Sequence, residues 1–363
     1  MLKTLALAAL FLAAASAVVP AQTLDEMAGQ MVVVGFQGDG PDDAGVAAIR
    51  AQVAAGEIGG VIYLRTNVAS LSAVRAINSA LAEAASGPRP FVMLDQEGGQ
   101  VQRLTPAVGF NGTPSARDVA RRGLESAAAL YADLAARLAA QGFNVNFGPV
   151  VDLNLNPDNP VIARFGRSYG RDPERVTAFA SAFIAGHHAA GMGTALKHFP
   201  GHGSSLADSH EGFVDVTNVW SPDELEPYRA LIGEGLADMV MVAHIYHADY
   251  AGGEAQLPAS LSPDWIGGVL RGDLGYRGVV ISDDMEMAAI RSRFSLRETV
   301  VRAVLAGNDI LLFSNTAAYH PELGSEIHAI LVEAAEADPA FAARIEESYE
   351  RILALKERLG LAG

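Results

Sequence analysis

The sequence predicts a single-domain (β/α)8 barrel. Three observations carry that expectation. Eight short apolar runs rich in branched residues recur along the 363-residue chain. Helix-like segments separate them, so strand and helix alternate. Charged and polar residues gather where five of the runs end, and such barrels carry their chemistry on that face.

The runs are 31-MVVVGF-36, 58-IGGVIYL-64, 91-FVMLD-95, 143-FNVNFGPVVD-152, 194-TALKHF-199, 239-MVMVAHI-245, 278-GVVISDD-284 and 309-DILLFS-314. Each is too short for a helix and too uniformly apolar for a strand with one wet face. Strands buried on both faces of a parallel sheet read this way. Between them, residues 42–56, 70–85, 124–142, 172–191, 222–235 and 295–307 read as helices. Several open on Ser or Asp and several close on Gly, the residues that cap helix ends. Residues 340–360 read as a C-terminal helix packed on the outside. A doubly wound open sheet is the competing arrangement. The count of eight, and no glycine-rich phosphate loop after the first run, favour the barrel. No linker or shift in composition divides the chain.

Hydrophobic residues make up 50% of the chain, so a large buried core is expected. With 26 basic and 42 acidic residues, the net charge of −16 suits nucleic acid poorly, because phosphate contacts need clustered Lys and Arg. The absence of cysteine excludes disulfides, Cys-based zinc sites and a Cys nucleophile. Residues 1–21 carry one Lys, an apolar run from Leu5 to Ala15 and then small residues, the pattern of a secretory signal peptide. The expected mature protein begins at Gln22 and is secreted or periplasmic. It is expected to be a monomer without stable membrane association after cleavage.

The polar strand ends are 95-DQEGGQVQR-103, Asp152 with the loop 164-RFGRSYGRD-172, Lys197-His198, 244-HIYH-247 and 282-SDDMEM-287. Charges are costly inside strands. Five converging clusters therefore point to a site. The densest stretch is 197-KHFPGHGSSLADSHEG-212, and three readings of it compete. A metal would need His198, His202 and His210, whose spacing is irregular for a ligand set, and the first strand offers no polar ligand. A Ser nucleophile would draw on Ser204, Ser205 or Ser209, none in a Gly-x-Ser-x-Gly elbow. The third reading sets the Asp283 carboxylate against an imidazole, His210, oriented by Asp208. A carboxylate nucleophile facing a proton donor is what retaining glycoside hydrolysis requires. A His held by a carboxylate can be protonated near neutral pH and give that proton to a leaving oxygen.

These motifs, with 29-GQMVVVGFQG-38, 145-VNFGPVVDLN-154, 240-VMVAHI-245 and 260-SLSP-263, resemble the bacterial β-N-acetylglucosaminidases of glycoside hydrolase family 3, from about Leu24 to Ser314. The resemblance implies a single (β/α)8 domain that removes terminal β-linked N-acetylglucosamine with retention and without metal or other cofactor. It assigns Asp283 as nucleophile, His210 as acid/base and Asp208 as its partner. Asp95, Arg103, Arg167, Lys197 and His198 match the sugar-binding positions. Family members acting on plain glucosides usually draw a Glu acid from a second α/β domain. This chain reads as the barrel alone, so the N-acetyl sugar is expected. A family 3 glycosidase of other sugar specificity is the nearer rival. A non-catalytic binder of wall glycans is the further one, and an intact Asp283 with an intact Asp208–His210 pair argues against it.

Two places depart from the family pattern. Gly203-Ser204-Ser205 stands where many relatives read Gly-Asp-Thr, and His247 stands where relatives often have Pro. Elsewhere the sequence suggests structural roles. His187 and His188 read as a surface pair or helix C-terminal charges, Asp152 as a hydrogen-bonding residue of the barrel mouth, Asp284 as support for Asp283, and Trp220 and Trp265 as packing. Glu286 is expected to face solvent. His202 suits either the substrate or a brace for the glycine turn.

Overall fold

A computed structural model describes residues 22–253 and 256–362. The expected signal peptide, residues 1–21, lies outside them. Among the described residues ten strands run in chain order: β1 (Val32–Gly35), β2 (Gly60–Tyr63), β3 (Phe91–Leu94), β4 (Val145–Asn146), β5 (Gly193–Phe199), β6 (Val214–Asp215), β7 (Met239–Val242), β8 (Ile245–Tyr246), β9 (Val279–Ser282) and β10 (Leu311–Phe313). Eight of them form one parallel sheet in the order β10-β1-β2-β3-β4-β5-β7-β9. A parallel bridge between Ile281 and Ile310 joins its two ends, closing the barrel. The remaining pair, β6 and β8, comes from the loops after β5 and β7 and makes a small parallel sheet of its own.

Every residue of the eight barrel strands is buried, which is why the runs read as mostly apolar, with Asn146, Thr194, Lys197 and His198 the polar members of β4 and β5. All eight expected strands are present. The fourth is much shorter than 143–152: its ladder ends at Asn146, and only Val150 returns to bridge Lys197. Pro149 in between has no N–H to give a ladder.

The expected helices form with small changes at their ends. Residues 222–235 divide into a tight turn, Pro222–Leu225, and a helix, Glu226–Gly233. The helices Leu24–Gln30 and Leu323–Ala337 and the wide helix Asp264–Asp273 add to those expected. The C-terminal helix, Pro339–Arg358, opens on Asp338, whose side chain accepts from Ala340 N–H. Its far end lies across the N-terminal end of the barrel. There the buried Lys356 donates to Gln30 Oε1 at 2.6 Å and to the Gly59 carbonyl at 2.9 Å. The segment just beyond it is bound as well, for Arg89 N–H donates to the Leu361 carbonyl at 2.7 Å. The opposite, C-terminal end of the barrel is left open. Among the described residues, no helix is long and apolar enough to cross a membrane.

Candidate active site

At that open end the polar strand ends meet in a cavity of about 350 Å3. Asp95, Arg103, Arg167, Lys197, His198, His210 and Asp283 all line it. Asp208 stands behind His210. The sequence-selected residues are thus brought together.

The floor is a chain of buried charges. Asp95 directly follows β3, and its two oxygens accept from Lys197 Nζ at 2.6 Å and Arg103 Nη2 at 2.7 Å. Glu97, two residues on, accepts from Arg167 through both oxygens, at 2.8 and 2.7 Å, and pairs with Lys197 at 2.6 Å. Such fork-to-fork pairing fixes geometry as well as charge. Burial would raise both carboxyls. Lys197 and Arg103 nevertheless hold Asp95 well below the usual carboxylate range, and Arg167 with Lys197 brings Glu97 down to about 2. Both acids are therefore ionised acceptors, and the cations beside them keep donors for a ligand.

His198 links this floor to Asp152. Its Nδ1 donates to Asp152 Oδ2 at 2.7 Å, and its Nε2 lies 3.2 Å from Arg167 Nη2, which can only donate. The proton therefore sits on Nδ1 and Nε2 accepts. Asp152 also accepts from the backbone N–H of His198 and His202, at 3.2 and 2.7 Å. It has the mouth-bracing role its position suggests.

Asp283 follows β9 directly, so a buried strand end sets its place. Burial favours its neutral form. The imidazoles of His198, His244 and His210, together with the Asp284 N–H, outweigh that and hold its pKa below the ordinary value. The Asp284 N–H donates to Asp283 Oδ1 at 2.8 Å. The Asp284 carboxyl points away, accepting from Ser314 N–H at 2.8 Å and Glu286 N–H at 3.1 Å, and burial lifts it to about 6. Asp284 supports its neighbour through the backbone. His244 donates from Nε2 to the Asp284 carbonyl at 2.9 Å and accepts at Nδ1 from Ser260 Oγ at 2.7 Å.

His210 stands at the rim, on the loop after β5, with its side chain 60% exposed. Its Nδ1 is 2.7 Å from Asp208 Oδ1. That bond raises the pKa of His210 and lowers that of Asp208 to about 2. With Nδ1 committed, Nε2 is the nitrogen left to exchange a proton.

A scan of protein families matches residues 23–355 to the glycosyl hydrolase family 3 N-terminal domain. The chain belongs to glycosyl hydrolase family 3. It is 38% identical over 293 residues to a beta-hexosaminidase of Stenotrophomonas maltophilia, covering 75% of this chain and 80% of that protein. Among solved structures, a family 3 beta-N-acetylglucosaminidase from a Paenibacillus species superposes with a TM-score of 0.84 at 35% identity. That match covers 94% of this chain and 64% of the other, so the chain spans under two thirds of that relative. A beta-N-acetylhexosaminidase from Beutenbergia cavernae gives 0.81 at 30% identity, covering 93% of this chain and 99% of the other.

Within this family 3 barrel, some residues depart from the sequence expectation. His187 is not at the surface. It is fully buried, stacked on Phe183 at 4.0 Å, and bonded to the Phe183 carbonyl and to Asn146; burial lowers it to about 4. His188 pairs with Asp238 at 2.7 Å. Glu286 turns inward, accepting from Ser314 Oγ at 3.1 Å and Thr316 N–H at 2.8 Å. His202 braces the glycine turn: its Nδ1 meets Ser205 Oγ at 2.6 Å, and burial lowers its pKa to about 4. Trp265 is buried and stacks on Tyr250 at 3.9 Å, with Trp220 edge-on at 5.2 Å, so both tryptophans pack.

Glu97 and Glu224 are the residues that sequence reasoning missed. Glu97 lies inside the 95–103 motif, two places from Asp95, and that spacing alone could have marked it. Glu224 reads only as an acid in a helix's first turn.

Proposed function

We propose that the protein is a retaining, exo-acting β-N-acetylhexosaminidase that removes terminal N-acetyl-β-D-glucosamine from the non-reducing end of peptidoglycan fragments or chitooligosaccharides. One observation carries this reading: Asp283 and His210 line the same cavity, while Asp208 occupies the other nitrogen of His210.

In the first step Asp283 attacks the anomeric carbon of the bound sugar. The bond to the leaving oxygen breaks, its electron pair stays on that oxygen, and His210 Nε2 supplies the proton. The product is a glycosyl-aspartate. In the second step a water bonds to the same carbon and gives its proton to His210, and Asp283 departs as a carboxylate. Two inversions restore the β configuration. Asp95 and Glu97 suit the sugar hydroxyls as acceptors. Arg103, Arg167 and Lys197 suit hydroxyls or the acetamido oxygen as donors. His198 holds Arg167 in line.

The relatives' names support the acetamido sugar. The pattern of residues 1–21 supports a secreted or periplasmic place of action. The test is release of nitrophenol from its β-N-acetylglucosaminide, with the β-glucoside alongside. Strong preference for the acetamido sugar is expected. Equal rates would overturn the sugar assignment, and silence on both would overturn the enzyme.

A further inference from the structure

Glu224 is a buried carboxyl group, its pKa pushed up to about 8 by burial, that the proposed chemistry leaves unused. It is 1% exposed, in the tight turn Pro222–Leu225, and lines no part of the sugar cavity. Its oxygens accept from the backbone N–H of Gly203 at 2.8 Å and of Ser204 at 3.1 Å, and it meets Ser204 Oγ at 2.5 Å. The fit is close on the carbon side too. Gly201 has φ +118°, and a Cβ there would lie 2.4 Å from Glu224 Cβ. The motif glycine is what lets this side chain in.

The opposite side of the same turn is gripped by other residues. Asn159 Nδ2 donates to the His202 carbonyl at 2.8 Å and to the Ser205 carbonyl at 3.1 Å. A Cβ on Gly203 would lie 1.7 Å from the Leu153 carbonyl oxygen, so the backbones touch there. Residues 201–205 are therefore a fixed root, held between Glu224 and the segment after β4. The Asp208–His210 pair grows from that root. The Asp208 carboxylate accepts from His210, at Nδ1 and backbone N–H, and its carbonyl accepts from the Glu211 N–H at 3.0 Å, all within the loop. Between them the buried Ser209 sets its Oγ 3.5 Å from His202 Nε2 in the root and 3.8 Å from Met287 Sδ on the segment after β9, so the root is one of the two supports that place the pair relative to Asp283.

We propose that Glu224 is a positioning residue for catalysis: by gripping Gly203 and Ser204 it sets where the Asp208–His210 pair meets the leaving oxygen. This rests on the glycosidase reading above. A misplaced proton donor costs most where the leaving group needs the proton. Dinitrophenolate departs without help, whereas a sugar alkoxide does not.

The test compares wild type, Glu224→Ala, Glu224→Gln and Ser204→Ala on N,N′-diacetylchitobiose and on the dinitrophenyl β-N-acetylglucosaminide. Melting temperature and labelling of Asp283 by a 2-fluoro sugar are measured in parallel. For Glu224→Ala, kcat/KM on the disaccharide is expected to fall about a hundredfold, the scale of a small misplacement of catalytic groups. The dinitrophenyl substrate and the labelling should change by less than about threefold. Glu224→Gln, which can still accept from Gly203 N–H and reach Ser204 Oγ, should recover most of the loss. Ser204→Ala should show the same split at smaller size, and it decides the matter if Glu224→Ala does not fold. Equal losses on both substrates, or no loss in folded variants, overturn the proposal. A wild type that cleaves neither substrate and takes no label overturns the parent reading instead.

Discussion

Asp208 and His210 form a closed pair. One carboxylate oxygen, Asp208 Oδ1, accepts from the His210 backbone N–H at 2.9 Å and from its ring Nδ1 at 2.7 Å. The two bonds fix both the position of the ring and the nitrogen that stays free. In the proposed mechanism Asp208 is therefore an orienting group that acts through His210.

Asp208→Asn should therefore shift the pH profile. Hydrogen bonding to Asp208 raises the pKa of His210, so the acid form persists to higher pH than in a free imidazole. Losing the carboxylate should move the alkaline limb of kcat/KM to lower pH and leave the acid limb in place. The pH dependence of disaccharide cleavage checks this. An unmoved alkaline limb would mean that another group sets it.

His210→Ala should separate substrates by leaving group. Loss of a general acid costs about 10² to 10⁴-fold where protonation limits the rate, and much less for activated aryl glycosides. Rates on a series of aryl glycosides of graded acidity give the answer. Uniform losses across the series would count against acid catalysis by His210.

Asp283→Asn should abolish turnover while leaving the melting temperature near that of wild type, because no described side chain donates to its carboxylate. Mass spectrometry after a 2-fluoro sugar should place the label on Asp283. A label on Asp284 or Asp95 would reassign the nucleophile.

Glu97→Ala should cost both stability and affinity. It leaves Arg167 and part of the Lys197 charge buried without their partner, which typically destabilises by about 3 kcal/mol or more. Arg167 and Lys197 would also lose their orientation, so KM should rise more than kcat falls. Urea denaturation and steady-state kinetics read the two effects separately.

Lys356 should make folding depend on pH far from the active site. Burial lowers its pKa from 10.5 to about 7. Between those values the unfolded chain binds a proton that the folded chain does not. Stability from this group therefore rises with pH across that window and is lost as pH falls through it. Lys356→Met should flatten the difference in urea midpoint between pH 7 and pH 9. An unchanged slope would place the titration elsewhere.

The barrel is legible in the sequence because a parallel strand covered on both faces must be apolar throughout. The same logic fails at β4, where Phe147 and Val151 stay buried but Pro149 interrupts the ladder, and burial alone does not reveal that break. Site residues at strand ends, such as Asp95, Lys197 and Asp283, announce themselves as charges interrupting apolar runs. Glu224 does not. Its partners lie 20 and 21 residues back, and an acid at the start of a helix has an ordinary explanation in the helix dipole. His187 misleads for the reverse reason. A late-helix histidine looks exposed, and only the packing of Pro173–Ala189 onto β4 shows that its ring faces inward.

In the proposed mechanism the nucleophile sits at a strand end, whereas the proton donor rides on an exposed loop after β5. Inheritance can therefore act on them separately. Changes within residues 206–213 would retune which aglycones depart, with the grip on the departing sugar's neighbour untouched. In that reading the barrel is the tool body and the loop its exchangeable bit.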